Sequence, residues 1–190
     1  MLVVKLKLSS PQANLVLRGE ICNVSGLAPR SSYDIDFEDR DILGLPRKAA
    51  VARAHELLEM VGLPGFADKL PYELSGGMQQ RAAIAQALIH NPKLVLMDEP
   101  FGALDALTRE KMNLEMLRIW EETGKTFIVV THSIQEAVFL GSHCAVLTAG
   151  PARMADFFPI ELPTPRRLHV KTSPAFGGYL RRIYDLLGVE

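Results

Sequence analysis

Two adjacent carboxylates, Asp98 and Glu99, follow a short apolar run at residues 94–97. A run of this length without polar residues is typical of a strand buried on both faces. In open α/β sheets ligands bind at the carboxyl ends of the strands, where successive side chains point to opposite faces. We therefore predict different roles for the two carboxylates. One can hold Mg²⁺, while the other orients and deprotonates a water molecule. Pro100 is expected to keep Glu99 extended, and a helix-capping acidic turn is the alternative interpretation.

A serine and two glycines lie in the segment LSGGMQQR at residues 74–81. Ser75 is a favourable N-cap, and Gly76 and Gly77 allow a ligand to approach the backbone closely. The free N–H groups and the positive end of the helix dipole would favour a phosphate at this point. The alternative is an ordinary serine-capped helix, and the three residues alone do not decide between the two.

A histidine follows a second apolar run. His132 comes directly after residues 126–130 and Thr131, so it is expected beside Asp98 and Glu99 at one sheet edge. At that position it can contact a terminal phosphate or help to position the attacking water. A lone histidine is more often a satisfied structural side chain, so this signal depends on its neighbours.

Helical and extended patterns alternate around these residues, which predicts a mostly parallel α/β sheet. Pro46 and Gly62 suit the start and stop of a first helix, and Gly124 and Gly188 suit the caps of later ones. The predicted helices cover about residues 46–62, 75–90, 106–122, 134–140 and 175–187, and the predicted strands residues 94–97, 126–130 and 144–148.

The composition is that of a globular protein, with 48% apolar and 23% charged residues among 190. The net charge of −1 argues against nucleic-acid or membrane binding driven by bulk charge. Two cysteines cannot form a disulfide framework, which favours a reducing cytoplasm. No window has the roughly eighteen consecutive apolar residues that a membrane span requires. Five acidic residues at 34–41 are interpreted as a solvated loop rather than a metal site.

Four motifs, taken in order, resemble those of the ABC ATPase family. They match the family's signature, Walker B, D-loop and switch-histidine motifs, at residues 74–81 (LSGGMQQR), 94–100 (LVLMDEP), 102–105 (GALD) and 131–132 (TH). The resemblance covers about residues 43–147. It is closest to the subgroup that energises importers of nitrate, sulfonate and taurine-type solutes, through residues 97–109, 119–126 and 134–137.

The resemblance implies an α/β fold, an incomplete P-loop NTPase core with a parallel sheet and a helical subdomain. It implies ATP and Mg²⁺ as ligands, with Asp98 on the metal and Glu99 and His132 as catalytic residues. The residues implied to bind the nucleotide are Ser75, Gly76, Gly77, Gln79 and Asp105. The implied partners are a second ABC ATPase subunit and a membrane permease. Through that permease the chain would lie at the cytoplasmic face of the cell membrane.

The same resemblance divides the chain into four parts. Residues 1–42 form a divergent N-terminal segment, and residues 43–91 hold the helical region with the signature. Residues 92–149 form the core from Walker B to the switch histidine, and residues 150–190 a tail with a terminal helix.

The family's P-loop, G-x-x-x-x-G-K-S/T, is missing from this sequence. Such a loop connects a strand to a helix and holds the phosphates. The one Gly-Lys-Thr, at residues 124–126, has Ile119 at the first glycine position and follows a helix, so Gly124 is interpreted as a helix cap.

The missing P-loop strand has a consequence for the sheet. In the family this strand lies beside the one matched by residues 126–130, so its loss predicts an exposed apolar edge and a chain that is only marginally soluble alone. Residues 2–8 can take the vacant position, although Lys5 and Lys7 suit an edge strand with one wet face.

Three functional hypotheses stay open at this point. The chain is an ATPase subunit that powers an importer, a non-catalytic partner that lends its signature face to a complete subunit, or a truncated remnant without a stable fold. The DNA-handling ABC ATPases fit poorly, because the sequence has neither a coiled-coil insertion nor a basic surplus.

Overall fold

A six-stranded mixed sheet forms the centre of the fold. The computed structural model describes residues 2–6, 21–25, 46–151 and 153–188. The acidic run at residues 34–41, interpreted as a solvated loop, lies outside the described residues. The strands are β1 (Leu2–Leu6), β2 (Ile21–Ser25), β3 (Leu94–Asp98), β4 (Thr126–Thr131), β5 (His143–Leu147) and β6 (Met154–Pro159).

The strands lie in the order β2-β3-β4-β1-β5-β6. Strands β2, β3 and β4 pair in parallel, and β1 pairs antiparallel with both β4 and β5. Strand β6 pairs antiparallel with β5 at one edge. Strands β2, β3, β4 and β5 therefore share one direction, which agrees with the mostly parallel sheet that the sequence predicts. The sequence patterns did not predict β2 or β6.

Five helices accompany the sheet, and their bounds agree with the predicted ones to within one or two residues. They are α1 (Arg47–Met60), α2 (Gly76–Ile89), α3 (Ala106–Thr123), α4 (Ile134–Leu140) and α5 (Pro174–Leu187). Two short 3₁₀ helices, Pro71–Glu73 and Leu168–Thr172, were not predicted. None of the helices in the described ranges is both long and apolar enough to cross a membrane.

Gly124 is a helix cap, as predicted. It ends α3 in the left-handed region with φ 61°, a conformation that glycine adopts at little cost. The next residue, Lys125, donates from Nζ to Asn91 Oδ1 at 2.7 Å and to the Pro92 carbonyl at 2.8 Å. These contacts lie where β3 and β4 begin, at the sheet edge opposite Asp98. The Gly-Lys-Thr sequence therefore lies at the opposite edge of the sheet from Asp98 and is no part of a phosphate loop beside that residue.

Strand β1 fills the position between β4 and β5. Its register sets Leu2 opposite Thr131 and Leu6 opposite Phe127 on β4, while Val4 lies opposite Cys144 on β5. Residues 2–6 thus take the vacant position beside β4 that the sequence left open to residues 2–8. The edge-strand interpretation drawn from Lys5 and Lys7 is wrong, because both sides of β1 are paired. The exposed apolar edge on which the predicted low solubility rests is absent between β4 and β5, although the solubility itself stays a prediction.

The helical region rests on the pairing of α1 with α2. Arg81 on α2 donates from Nη1 to the carbonyls of Val61 and Gly62, at 3.2 and 3.0 Å, where α1 ends. The apolar side chains that join the two helices are exposed by 1% or less, and they include Leu57, Val61, Leu63, Ile84 and Leu88. This packing fixes the start of α2 relative to the rest of the chain.

A buried arginine attaches the C-terminal tail to α4. The Arg166 guanidinium donates from Nη1 to the carbonyls of Phe139 and Gly141, at 2.9 and 2.7 Å, and from Nη2 to that of Ile160 at 3.2 Å. Burial lowers the pKa of Arg166 to about 10. The first two of these bonds satisfy carbonyls at the end of α4, which lack partners within the helix.

We expect proline to be tolerated in the edge strand β6 and not in the inner strand β1. Val4→Pro removes an N–H from a strand that is paired on both sides, whereas Ala155→Pro changes the edge strand β6. Circular dichroism melting of both variants measures the difference. A clear drop in the unfolding midpoint for Val4→Pro alone agrees with the observed sheet order, and equal midpoints contradict it.

Replacing the buried guanidinium should destabilise the fold. Arg166→Met leaves several carbonyls without a donor, so we expect a loss of at least about 2 kcal/mol in the free energy of unfolding. Urea denaturation measures this, with Arg167→Met at the neighbouring exposed position as the control. Similar losses in the two variants would remove the role given to Arg166.

Candidate functional site

The carboxyl ends of β3 and β4 bring the predicted acidic pair beside the predicted histidine. Asp98 lies opposite Val130 in the parallel register and its side chain is exposed. The Glu99 amide donates to the Val130 carbonyl at 2.8 Å. Glu99 has φ 47°, so the expectation that Pro100 keeps it extended is wrong. The tight turn that follows, in which the Gly102 amide donates to the Glu99 carbonyl at 3.2 Å, accounts for this backbone.

Glu99 and His132 meet in space. The distance between Glu99 Oε1 and His132 Nε2 is 3.2 Å, and the two side chains are 35% and 76% exposed. This is an ion-pair distance without hydrogen-bond geometry, since Glu99 Oε1 has no hydrogen-bond partner among the described residues. A buried carboxylate oxygen without a partner is suited to accept from a water or to face a cation. The sequence prediction that Glu99 and His132 lie together is confirmed by this geometry, and their catalytic roles stay predictions.

Three hydrogen bonds form a ring around the backbone of His132. The Thr131 hydroxyl donates to Glu136 Oε2, and the Ser133 amide donates to Thr131 Oγ1 at 3.1 Å. The Glu136 amide donates in turn to Ser133 Oγ at 3.3 Å. Burial raises the pKa of Glu136, against the lowering effect of the Thr131 hydrogen bond. The ring fixes the histidine at the junction of β4 and α4. Glu136 lies in the segment 134–137 that carries the family resemblance, but the sequence predicted no role for its side chain.

The loop from Glu99 to Asp105 is anchored at its centre. Phe101 is 1% exposed, and Arg109 on α3 donates to three carbonyls of the loop, those of Phe101, Gly102 and Leu104. No sequence pattern predicted a role for Arg109. The guanidinium fork suits this contact, because it carries several N–H donors in a fixed plane.

Asp105 caps α3. Its Oδ1 accepts from the Thr108 amide at 3.0 Å, and hydrogen bonding from Thr108 lowers the pKa of this exposed carboxyl. The ionised form of this carboxyl is also favoured by its place at the positive end of the helix dipole. The sequence named Asp105 only through the family resemblance.

Ser75 is the N-cap of α2, as predicted. Its Oγ accepts from the Met78 amide at 3.4 Å. A Cβ atom added to Gly76 would meet the Leu104 side chain at 3.5 Å, and one added to Gly77 would meet the Thr108 side chain at 3.2 Å. The start of α2 therefore lies directly against the start of α3, and glycine at 77 allows this approach.

Gln79 faces its own chain. Its amide nitrogen donates to the carbonyls of Pro71 at 2.8 Å and Leu74 at 3.2 Å. Both N–H groups of a glutamine amide are used by two such bonds. The structure thus gives Gln79 a local role, while its predicted contact with a nucleotide stays a prediction.

The site has two parts joined by one loop. We call the first the strand-end cluster (Asp98, Glu99 and His132) and the second the cap face (Ser75, Gly76, Gly77 and Asp105). The loop that starts at Glu99 ends at Asp105, so it connects the two parts along the chain.

Mg²⁺ and a nucleotide are implied by the resemblance, and the strand-end cluster fits a metal that takes most of its ligands elsewhere. Mg²⁺ is commonly held by one or two carboxylates together with waters and substrate phosphates. The exposed Asp98 carboxylate meets that requirement. In the described part of the chain no group of three acidic, histidine or cysteine side chains forms a metal cage.

Sequence comparisons agree with this geometry. The model of the ABC transporter family matches residues 10–102, starting upstream of the resemblance seen from residue 43. The chain is 46% identical over 176 residues to a taurine import ATP-binding protein of Rhizobium johnstonii, covering 90% of this chain and 67% of that one. It is 47% identical over 134 residues to an aliphatic sulfonates import ATP-binding protein of Bacillus licheniformis, covering 70% of this chain and 51% of that one.

A solved structure supports the same fold. It is that of CbiO1 from Clostridium perfringens, part of the ABC transporter complex CbiONQ. The TM-score is 0.56 at 28% identity, over 65% of this chain and 51% of that one. The chain spans between about half and two thirds of the length of the curated relatives it matches. The order of the motifs, the mixed α/β sheet and these likenesses agree, and the chain belongs to the family of ABC transporter ATP-binding proteins.

Proposed function

We propose that this chain is the signature-to-switch-histidine part of an ATP-hydrolysing subunit that drives import of taurine-like or other sulfonate or nitrate-type solutes. The observation that carries the proposal is the cap face, in which two helix N-termini lie against each other with Ser75 and Asp105 exposed. The solute class rests on the relatives, which are named for taurine and aliphatic sulfonates.

The cap face is suited to bind the terminal phosphate of a nucleotide held by a second subunit. Ser75 Oγ, the free amides of Gly76 and Gly77 and the positive end of the α2 dipole converge there. We propose that these residues, with Gln79 and Asp105, complete a composite site whose P-loop belongs to the partner. This is the arrangement that the family resemblance implies.

The strand-end cluster would serve the other site of such a pair. In that site Asp98 would hold Mg²⁺, while Glu99 would take a proton from water and His132 would orient the terminal phosphate. A nucleotide there also needs a P-loop, and the 190-residue sequence contains no such motif. The strand β1, which lies beside β4, runs antiparallel to it, so its carboxyl end at Leu6 lies at the opposite edge of the sheet. We therefore propose that one of the two ATP sites turns over.

The remaining proposals concern partners and place. A membrane permease would bind the subunit at the cytoplasmic face of the cell membrane, with the tail of residues 150–190 packed on the core of residues 92–149. Residues 1–42 would contribute β1 and β2 to the same sheet, and residues 43–91 would carry the signature.

We expect this chain alone to bind ATP weakly. Backbone amides and a lysine of a P-loop provide most phosphate contacts in this class of protein. Calorimetric titration with Mg-ATP tests this, and an affinity in the micromolar range would contradict the proposal.

Ser75→Arg should abolish the ATPase activity that the chain confers on a partner. The assay mixes the chain with an intact homologue whose own signature is inactivated and follows phosphate release. A bulky cation at residue 75 removes the N-cap and fills the place of the phosphate. Ser173→Arg, which removes the matching N-cap of α5, should leave the activity in place.

Glu99→Gln should leave that activity nearly unchanged, because Glu99 belongs to the site without a P-loop. A working general base contributes about 10²–10⁴-fold to a rate, so the two outcomes are easily separated. A large loss from this variant, or no activity from the wild-type mixture, contradicts the proposed function.

A further inference from the structure

The two helices that form the cap face begin with the same arrangement of hydrogen bonds. In α2 the capping Ser75 accepts from the amide of Met78, three residues on. In α3 the capping Asp105 accepts from the amide of Thr108, also three residues on. The fourth residue after each cap, Gln79 or Arg109, then turns its side chain back onto the preceding loop.

Two contacts of each side chain match position by position, and Arg109 makes a third, to the Gly102 carbonyl at 3.4 Å. Gln79 donates to carbonyls eight and five residues before it, those of Pro71 and Leu74. Arg109 donates to carbonyls eight and five residues before it, those of Phe101 at 3.2 Å and Leu104 at 2.9 Å. Each side chain thus bonds the residue directly before the cap and a second residue three positions earlier.

This arrangement fixes the cap residue from both sides. The helix holds it through the side-chain cap, and the back-turned side chain holds the loop that leads into it. The loop before Asp105 also contacts the other helix, since Leu104 lies 3.5 Å from the position of a Cβ at Gly76. A shift of either loop would therefore move Ser75 and Asp105 relative to each other.

We propose that Gln79 and Arg109 are a matched pair of positioning residues for the cap face. Gln79 acts by holding residues 71–74, and Arg109 by holding residues 101–104. This inference deepens the proposed function and rests on it for its effect on activity. Its structural part stands on the hydrogen bonds alone.

Two conservative variants remove the contacts with little change in shape. Gln79→Glu puts a carboxylate oxygen where an N–H donor faces two carbonyls. Arg109→Lys keeps the positive charge and loses the planar fork. The controls make the same chemical changes on the same helices, with Gln86→Glu at an exposed position of α2 and Arg118→Lys on α3, where the guanidinium bonds Met60 and two glutamates.

Amide hydrogen exchange on the whole chain tests the structural part without any partner. In Gln79→Glu we expect faster exchange at Met78, and in Arg109→Lys faster exchange at Thr108, while the amides in the middle of both helices keep their protection. The two controls should leave the Met78 and Thr108 amides as in the wild type. Unchanged exchange at both amides in the test variants overturns the inference, and so does exchange that rises along the whole helix.

The mixing assay with the signature-inactivated homologue tests the functional part. A displacement of about 1 Å can cost on the order of 10²-fold in rate, so we expect each test variant to lower kcat by roughly 10-fold or more. Neither control should lower it comparably. Test variants as active as their controls overturn the inference while leaving the proposed function intact. A wild-type chain that gives no activity contradicts the proposed function instead, and the exchange result then decides the inference by itself.

Discussion

The direction of one strand determines what this fold can do with a nucleotide. A phosphate loop must leave its strand at the edge where β3 and β4 end, because Asp98 and His132 lie there. Strand β1 occupies the position between β4 and β5, but it runs the other way and delivers Leu6 to the opposite edge. Among the described strands, the position between β4 and β5 is therefore filled, but the strand that fills it has its amino end, not its carboxyl end, at the Asp98 edge. Because of this constraint, the cap face is the part of the site that we propose contacts a nucleotide.

The two parts of the site differ in how they are held. The strand-end cluster depends on long-range pairing, since Glu99 is fixed by a bond to Val130 on the neighbouring strand. The cap face depends mainly on local bonds within about eight residues, together with the contact between the starts of α2 and α3. Local bonds survive changes elsewhere in the sheet more readily than long-range pairing does. The cap face therefore depends on fewer distant parts of the chain than the strand-end cluster does.

The sequence predicted the ends of helices correctly where capping residues mark them. Gly124 and Gly188 mark the ends of α3 and α5, and Ser75 marks the start of α2. These signals work because capping is a local effect of residue type. The meeting of Glu99 with His132 was also predictable, since both follow apolar strands of one parallel sheet.

The features that the sequence did not predict all depend on contacts or conformations elsewhere in the chain. Strand β2 (Ile21–Ser25) has no alternating pattern, and only its pairing with β3 makes it a strand. The inner position of β1 depends on partners more than a hundred residues away. The left-handed backbone of Glu99 is set by the turn to Gly102 and the bond to Val130. The hydrogen bonds from the Gln79 and Arg109 side chains to carbonyls of the preceding loops depend on the conformations of those loops, which the sequence does not show.

We propose that a partner's nucleotide places its terminal phosphate on the cap face. Photocrosslinking with an ATP analogue that carries the reactive group on its γ-phosphate tests this directly, in a mixture with a complete homologous subunit. Mass spectrometry of the labelled chain then locates the modified residues. We expect labelling within residues 74–79 and around Asp105, and only when the partner is present. Labelling confined to Glu99 and His132, or equal labelling of this chain alone, would contradict it.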